Sequence, residues 1–255
     1  MADEDRIVFY AAGGFFFGLW LFFRGFKTYR LKKLIEHLPT SKVRSIAMGM
    51  VEIAGKAVPA EKKSLKSPFT SKDCVYYKYT VEEYRSSGKS SHWVTIKSGD
   101  SCMPFFLQDD TGKVLVDPKG AEIDIPMDNE FKSRSGYNPP KEVMTFLVAN
   151  RLNHKNILGF NKMMRYREYY LAPNDPAYVL GTAGDNPFVE EGTGASNADD
   201  IMIQKGKSGD FYYISDSGEK AVLSKISGKA YLQVFGGGAL SVVCLAVIFW
   251  YFRIL

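Results

Sequence analysis

Residues 7–23 (IVFYAAGGFFFGLWLFF) and 231–252 (YLQVFGGGALSVVCLAVIFWYF) contain no charged side chain. As helices they would reach about 26 Å and about 33 Å, against roughly 30 Å for the hydrocarbon core of a bilayer. Local thinning, or the Arg24 stem lying along the apolar layer, makes up the shortfall of the first run. A cleaved signal opens with basic residues, but here Asp3, Glu4 and Asp5 come first and the basic segment follows. A soluble core helix is rarely apolar on every side over a run as long as the second. Both runs are therefore expected to be transmembrane helices. That divides the chain into a tail (1–6), a span (7–23), a soluble domain (24–230), a second span (231–252) and a tail (253–255).

Charge beside the spans sets the expected orientation. Arg24, Lys27, Arg30, Lys32 and Lys33 follow the first span, and Lys220, Lys225 and Lys229 precede the second. Only Arg6 and Arg253 lie on the far sides. By the positive-inside rule the domain is cytoplasmic and both termini lie opposite. Arg24, Lys27, Arg30, Lys32, Lys33, Lys225 and Lys229 are the expected contacts to anionic headgroups, which attract such residues by about 1 kcal/mol each. The net charge of +5 is thereby assigned to the bilayer rather than to nucleic acid, for which no recognition module is found.

Cys74, Cys102 and Cys244 show neither a disulfide framework nor paired zinc-ligand spacing, so the two domain cysteines are read as reduced. No N-x-S/T sequon is present.

Between the spans the pattern is mainly β. Residues 24–38 continue the first helix with a stripe of Phe26, Leu31, Leu34, Ile35 and Leu38, expected to pack on the domain rather than lie along headgroups. Pro39 ends it. Residues 45–57, 75–85, 93–97 and 104–107 read as strands. Asp109-Asp110-Thr111-Gly112 closes a hairpin to 114–116, and 121–125 follows in a meander. A polar loop (127–140), a helix (141–152), a strand pair (164–171 with 177–182) and a mobile polar stretch (183–200) come next. A last hairpin (201–203 with 210–214) leads into a helix from residue 216. The expected class is α+β: a mainly antiparallel β soluble domain flanked by two transmembrane α-helices.

Sites for chemistry are sparse. His37, His92 and His154 lack ligand spacing and read as surface residues. Adjacent carboxylates, Glu82-Glu83 and Asp109-Asp110, point to opposite sides of a strand and form no acid/base dyad. No catalytic residue, metal ligand or cofactor is assigned. The spans carry more information. Gly14 with Gly18, and Gly237 with Ser241, make small-residue faces through which helices approach closely, within one chain or between copies.

The segments GMVEIAGKAV, SLKSPFTSKDCVYYKYTVEEY, HWVTI, PFFLQDDTGKVLVDPKGAEI and MRYREYYLAPNDPAYVLGTA, set between terminal spans, resemble the GIDE or beside-a-membrane domain. That domain belongs to mitochondrial and chloroplast E3 ubiquitin ligases and their prokaryotic relatives. The resemblance covers residues 6–252 and implies a membrane-proximal module that recognises partners. The ligases carry a RING after the second span, with eight Cys or His ligands for two zinc ions. Here the sequence stops at Leu255 with three of each residue, so ubiquitin transfer is not expected of this chain alone. The expected function is partner binding or sensing at the membrane. The rivals are a ligase-like member working with a separately encoded RING protein, and a structural subunit of a membrane complex. Expected partners are the bilayer, an unidentified protein and a second copy of the chain.

Overall fold

The computed structural model describes residues 2–61, 64–88, 90–189, 199–206 and 211–252. It divides into two compact units, Met1–Pro39 with Glu219–Leu255, and Thr40–Gly218.

In the helical unit, α1 (Ala2–His37) is one continuous helix. α3 (Glu219–Tyr231) leads through a π-helical turn at Leu232–Gly236 into α4 (Gly237–Tyr251). α1 packs along both α3 and α4. Their outward surface is apolar: Phe9, Phe16 and Phe23 on α1 and Val242 and Trp250 on α4 are each more than 60% exposed. A soluble core helix would bury such residues, so this surface calls for lipid. Two helices long and apolar enough to cross a membrane support an integral, two-pass protein. In the basic segment, Leu31 and Ile35 are buried, as are Val222, Ile226 and Ala230 of α3.

Among the described residues the second unit holds fourteen strands. β1 (Thr40–Ser41), β2 (Gly49–Pro59), β3 (Leu65–Lys66), β4 (Asp73–Cys74), β5 (Tyr76–Ser87) and β6 (Ser90–Cys102) come first. β7 (Phe105–Gln108), β8 (Lys113–Val116), β9 (Glu122–Asp124) and β10 (Asn129–Ser133) precede helix α2 (Lys141–Ala149). β11 (Met164–Leu171), β12 (Pro176–Asp185), β13 (Ile201–Gln204) and β14 (Tyr213–Ser215) complete the set.

Two layers result. β2 pairs with both β7 and β12, β7 with β8, β8 with β13 in parallel, and β13 with β12. The ring closes into a five-stranded barrel, which removes its own edges. Alternate residues point inward: Val51, Ile53 and Ala57 on β2, Phe105 and Leu107 on β7, and Val179 and Ala183 on β12 are all buried. A barrel this narrow needs small residues. A Cβ at Gly181 would lie 2.8 Å from Ile203 Cγ2 and 2.9 Å from the Tyr212 ring.

The smaller sheet, ordered β10-β11-β5-β6, is antiparallel throughout. Val81, Met164 and Tyr166 on its inner face pack with Val143 and Leu147 of α2 and with Phe69. The Phe69 ring meets Phe146 edge-on at 5.0 Å and Tyr79 at 5.9 Å. α2 ends in a Schellman motif: Leu152 N–H donates to Leu147 O, Arg151 N–H donates to Val148 O, and Arg151 takes φ +52°.

The mixed α+β, mainly antiparallel class holds, and several elements differ from their sequence reading. Ser45, read as the start of a strand, instead ends a 3₁₀ turn over Val43–Ser45, and β2 begins at Gly49. The Asp109 carboxylate accepts Val43 N–H at 3.0 Å, and Thr111 Oγ1 accepts Arg44 N–H at 3.1 Å, which holds that segment out of the ladder. The expected loop 127–140 contains β10, whose Glu130 and Lys132 face outward. Strands 164–171 and 177–182 are not a hairpin: β11 and β12 belong to different sheets. Asp175 closes a turn between the layers by accepting Ala172 N–H at 2.8 Å.

The expected last hairpin is also absent, because β13 and β14 each pair with β12 instead of with each other. The meander stops after β8, since β9 pairs in parallel with β14. Within the stretch 183–200 read as mobile, residues 183–185 extend β12, and 190–198 lie outside the described residues. Residues 207–210 and 253–255 lie outside them too, including the tail residue Arg253.

Candidate functional site

Two places gather side chains in ways the fold alone does not require. The first is the helical unit. A Cβ on Gly14 would lie 2.7 Å from Cys244 Sγ, and one on Gly18 would lie 2.5 Å from Ser241 Oγ and 2.8 Å from Gly237 O. A Cβ on Gly237 would meet Gly18 O and Phe22 N, both at 2.7 Å. Ser241 Oγ lies 3.0 Å from Gly237 O and 3.3 Å from Phe15 O, so its one proton is shared between its own helix and the facing one. Gly18, Gly237 and Ser241 thus meet one another within a single chain, and Gly14 faces Cys244. Gly13, one residue aside, faces open space. The sequence reading missed Gly25, whose added Cβ would meet Val234 Cγ2 at 2.7 Å. Its spacing, seven residues after Gly18, was the available signal.

Beyond Gly25 this contact turns polar. Thr28 Oγ1 donates to Gln233 Oε1 at 2.9 Å, within the π-helical turn. Lys32 Nζ donates to Tyr231 OH at 3.2 Å and pairs with Glu36 at 3.2 Å. Lys32 is buried, whereas Arg24, Lys27, Arg30, Lys33, Lys225 and Lys229 are exposed. The Arg24 guanidinium lies 5.0 Å above the Trp20 ring.

The second place is the outer face of the small sheet. Alternation on β11 sends Arg165 and Arg167 outward while Met164 and Tyr166 go in. Glu82 binds Arg165 and lies 3.6 Å from Arg167, which also reaches Glu130 at 2.8 Å. Lys132 pairs with Glu130 at 2.7 Å. Glu83, in register with the inward Met164, lies on the opposite face from Glu82 and pairs there with Lys162 at 3.0 Å and Arg85 at 3.1 Å, so these neighbours serve separate pairs. Hydrogen bonds from Lys132 and Arg167 hold the Glu130 carboxyl below its ordinary range. Burial pushes Glu83 upward, but Lys162 and Arg85 outweigh it and hold it low. Arg165 stacks over the Trp93 ring at 4.2 Å, and Tyr84 meets that ring edge-on at 5.2 Å.

At the end of this face is a cleft of about 520 Å³. Trp93, Phe131, Tyr137, Pro140 and Met163 give it apolar and aromatic walls, and Glu130, Lys132 and Arg134 a charged rim. It lies beside the edge strand β10.

Other groups have structural duties. Asp109 accepts Thr111 N–H and Oγ1–H, both at 2.7 Å, and Gly112 N–H at 3.0 Å. Burial pushes its carboxyl upward, yet those donors and Val43 N–H outweigh it and hold it low. Asp110 pairs with Lys42 at 2.5 Å. His37 and His92 are exposed and His154 half-buried. All three cysteines are free, and burial pushes the Cys74 thiol up to about 12.

These features define a two-pass membrane protein carrying a compact β domain with a cleft at one sheet edge. A profile of the GIDE family, described as E3 ubiquitin ligase, matches residues 76–249, from the start of β5 into α4. The chain belongs to the GIDE family. No curated protein and no solved structure matches it.

Proposed function

We propose that this protein is a membrane-anchored recognition module whose β domain binds a protein partner through the cleft at Trp93, Tyr137 and Met163. One observation carries the reading: an aromatic and thioether wall meets a charged rim beside an edge strand. Aromatic and Met anchors are enriched where proteins bind one another, and an edge strand offers backbone groups to an extended segment. Nothing in this lining supplies a nucleophile beside a base, so the cleft is suited to binding more than to catalysis. The cytoplasmic side is the proposed location, because the basic residues of α1 and α3 lie together at one end of the helical unit.

A photo-crosslinking residue in place of Tyr137, in cells, tests the reading. A discrete protein adduct, lost on Met163→Asp, supports it. Absence of any protein adduct overturns it.

The family description favours a second reading, in which the bound partner is a separately encoded RING protein and the pair acts as a ubiquitin ligase. A RING protein in the adduct selects that version. A stoichiometric complex seen by native mass spectrometry, with the cleft variant still assembled, selects a structural subunit instead.

A further inference from the structure

The turn that follows α2 displays its apolar side chains to solvent. Ile157 is fully exposed, Leu158 is 79% exposed and Phe160 is 55% exposed. Such a tip is costly to leave in water, and a loop that needed only to connect α2 to β11 would be polar.

The turn is also firmly built. Asn156 Oδ1 accepts the N–H groups of Leu158 at 3.0 Å and Phe160 at 2.9 Å, and Asn156 N–H donates to Phe160 O at 2.8 Å. Gly159 sits at φ +82°, a conformation that favours glycine, and its N–H returns to Asn156 O at 3.0 Å. Lys162 N–H donates to His154 O at 2.8 Å, closing the base. Asn161 Nδ2 donates to Asn138 Oδ1 at 2.6 Å and ties the turn to the loop carrying Arg134 and Tyr137. These bonds fix the turn with its apolar side chains outward.

Charge decides what the tip fits. Residues 150–162 contain Arg151, Lys155 and Lys162 and no acid. Lys162 is taken by Glu83. Among the described residues Arg151, Lys155 and Arg134 are exposed and form no ion pair. An apolar tip on a loop whose exposed cations are free complements a surface that is apolar below and anionic above, which is a phospholipid leaflet. Two spanning helices hold the domain to such a surface, so the effective concentration of lipid is high without further affinity.

We propose that the 156–160 turn is a lipid-binding site, with Ile157, Leu158 and Phe160 entering the acyl boundary and Arg134, Arg151 and Lys155 contacting anionic headgroups. This contact goes beyond the cleft, with which it shares only Arg134. It adds a third point of attachment and thereby limits how the domain turns above the bilayer.

The test uses the full chain in vesicles of phosphatidylcholine with phosphatidylglycerol. Leu158→Cys carries an environment-sensitive fluorophore, with Cys102 and Cys244 replaced by Ala and Cys74 left buried. The label site is solvent-facing, so the fold is not at risk. Doxyl-labelled lipid should quench the label while aqueous iodide does so poorly. Arg134→Glu with Lys155→Glu should cut the lipid quenching by about threefold, as should removing the anionic lipid. Quenching by iodide alone overturns the proposal. Protection from both quenchers overturns it too, since a protein or a second copy then covers the tip.

Discussion

The carboxylate of Glu168 accepts the backbone N–H of Phe69 at 2.6 Å, in the interior of the small sheet. The same side chain accepts Thr70 Oγ1–H at 2.6 Å, and Glu168 is wholly buried. This pairing ties the loop before β4 to the centre of β11 and seats the Phe69 ring among Tyr79, Phe146 and Tyr166. Glu168→Ala should therefore cost about 2–4 kcal/mol, because it leaves buried N–H groups unpaired as well as a gap. Chemical denaturation of the full chain in detergent checks this. A cost below about 0.5 kcal/mol would show that the loop is held by its ring alone.

The glycine contact in the helical unit predicts a disulfide. Gly14→Cys places a second thiol against Cys244, within the reach of an S–S bond. After oxidation and limited proteolysis of the intervening domain, the two helical fragments should stay linked until reduced. Linkage only between whole chains would move the contact to a neighbouring copy.

Gly18→Leu tests the same face by steric means. The new side chain meets Ser241 and the Gly237 carbonyl, and neither can retreat without separating the helices. Membrane insertion should persist, because the span becomes more apolar, while the Gly14→Cys link to Cys244 should be lost. An undiminished link would show that the helices tolerate the wider spacing.

Acid should loosen the small sheet, where Glu130 is paired on the outer face and Glu83 on the other. Glu83 and Glu130 titrate below their ordinary range in the folded protein. Their stabilisation is complete above the unfolded carboxylate value and is lost as pH falls through the lower folded values. The unfolding midpoint should thus drop below about pH 4.3, and Glu130→Gln should flatten that drop. The Glu130–Arg167 coupling in a double-mutant cycle should be roughly 1 kcal/mol at most, given partial solvent access. A midpoint unchanged by Glu130→Gln at every pH would remove this pair from the account.

The proposed sidedness predicts that a phosphatase active only outside the cytoplasm, fused after Leu255 in a bacterial host, will be active. An expressed but inactive fusion reverses the orientation.

What the sequence revealed follows from how local each constraint is. The spans were legible because a bilayer demands a long uncharged run. The 109–112 turn was legible because Asp109 binds the N–H groups of Thr111 and Gly112 beside it. β10 was not, since its stability comes from pairing with β11, and Asn129 to Ser133 carry little strand propensity of their own. Strands 164–171 and 177–182 looked like a hairpin because the short turn between them has hairpin length. Glu168 was illegible in kind: alternation with Met164 and Tyr166 puts it at an inward position, where a carboxylate is tolerated only because Phe69 and Thr70, far away in sequence, supply its hydrogen bonds. The cleft was likewise out of reach, as β6, β10, the loop before α2 and β11 each contribute a wall.

The closed ring of β2, β7, β8, β13 and β12 constrains the order of assembly. Ile53 pairs with Val179, so an early strand waits for one made most of the domain later. Until β12 and β13 arrive, β2 and β8 each present an open edge, the state most prone to pairing with a wrong chain. Ring closure with such distant partners is intrinsically slow. Variants that delay β12 should therefore first reveal themselves as clumped, newly made chains rather than as a lowered melting point.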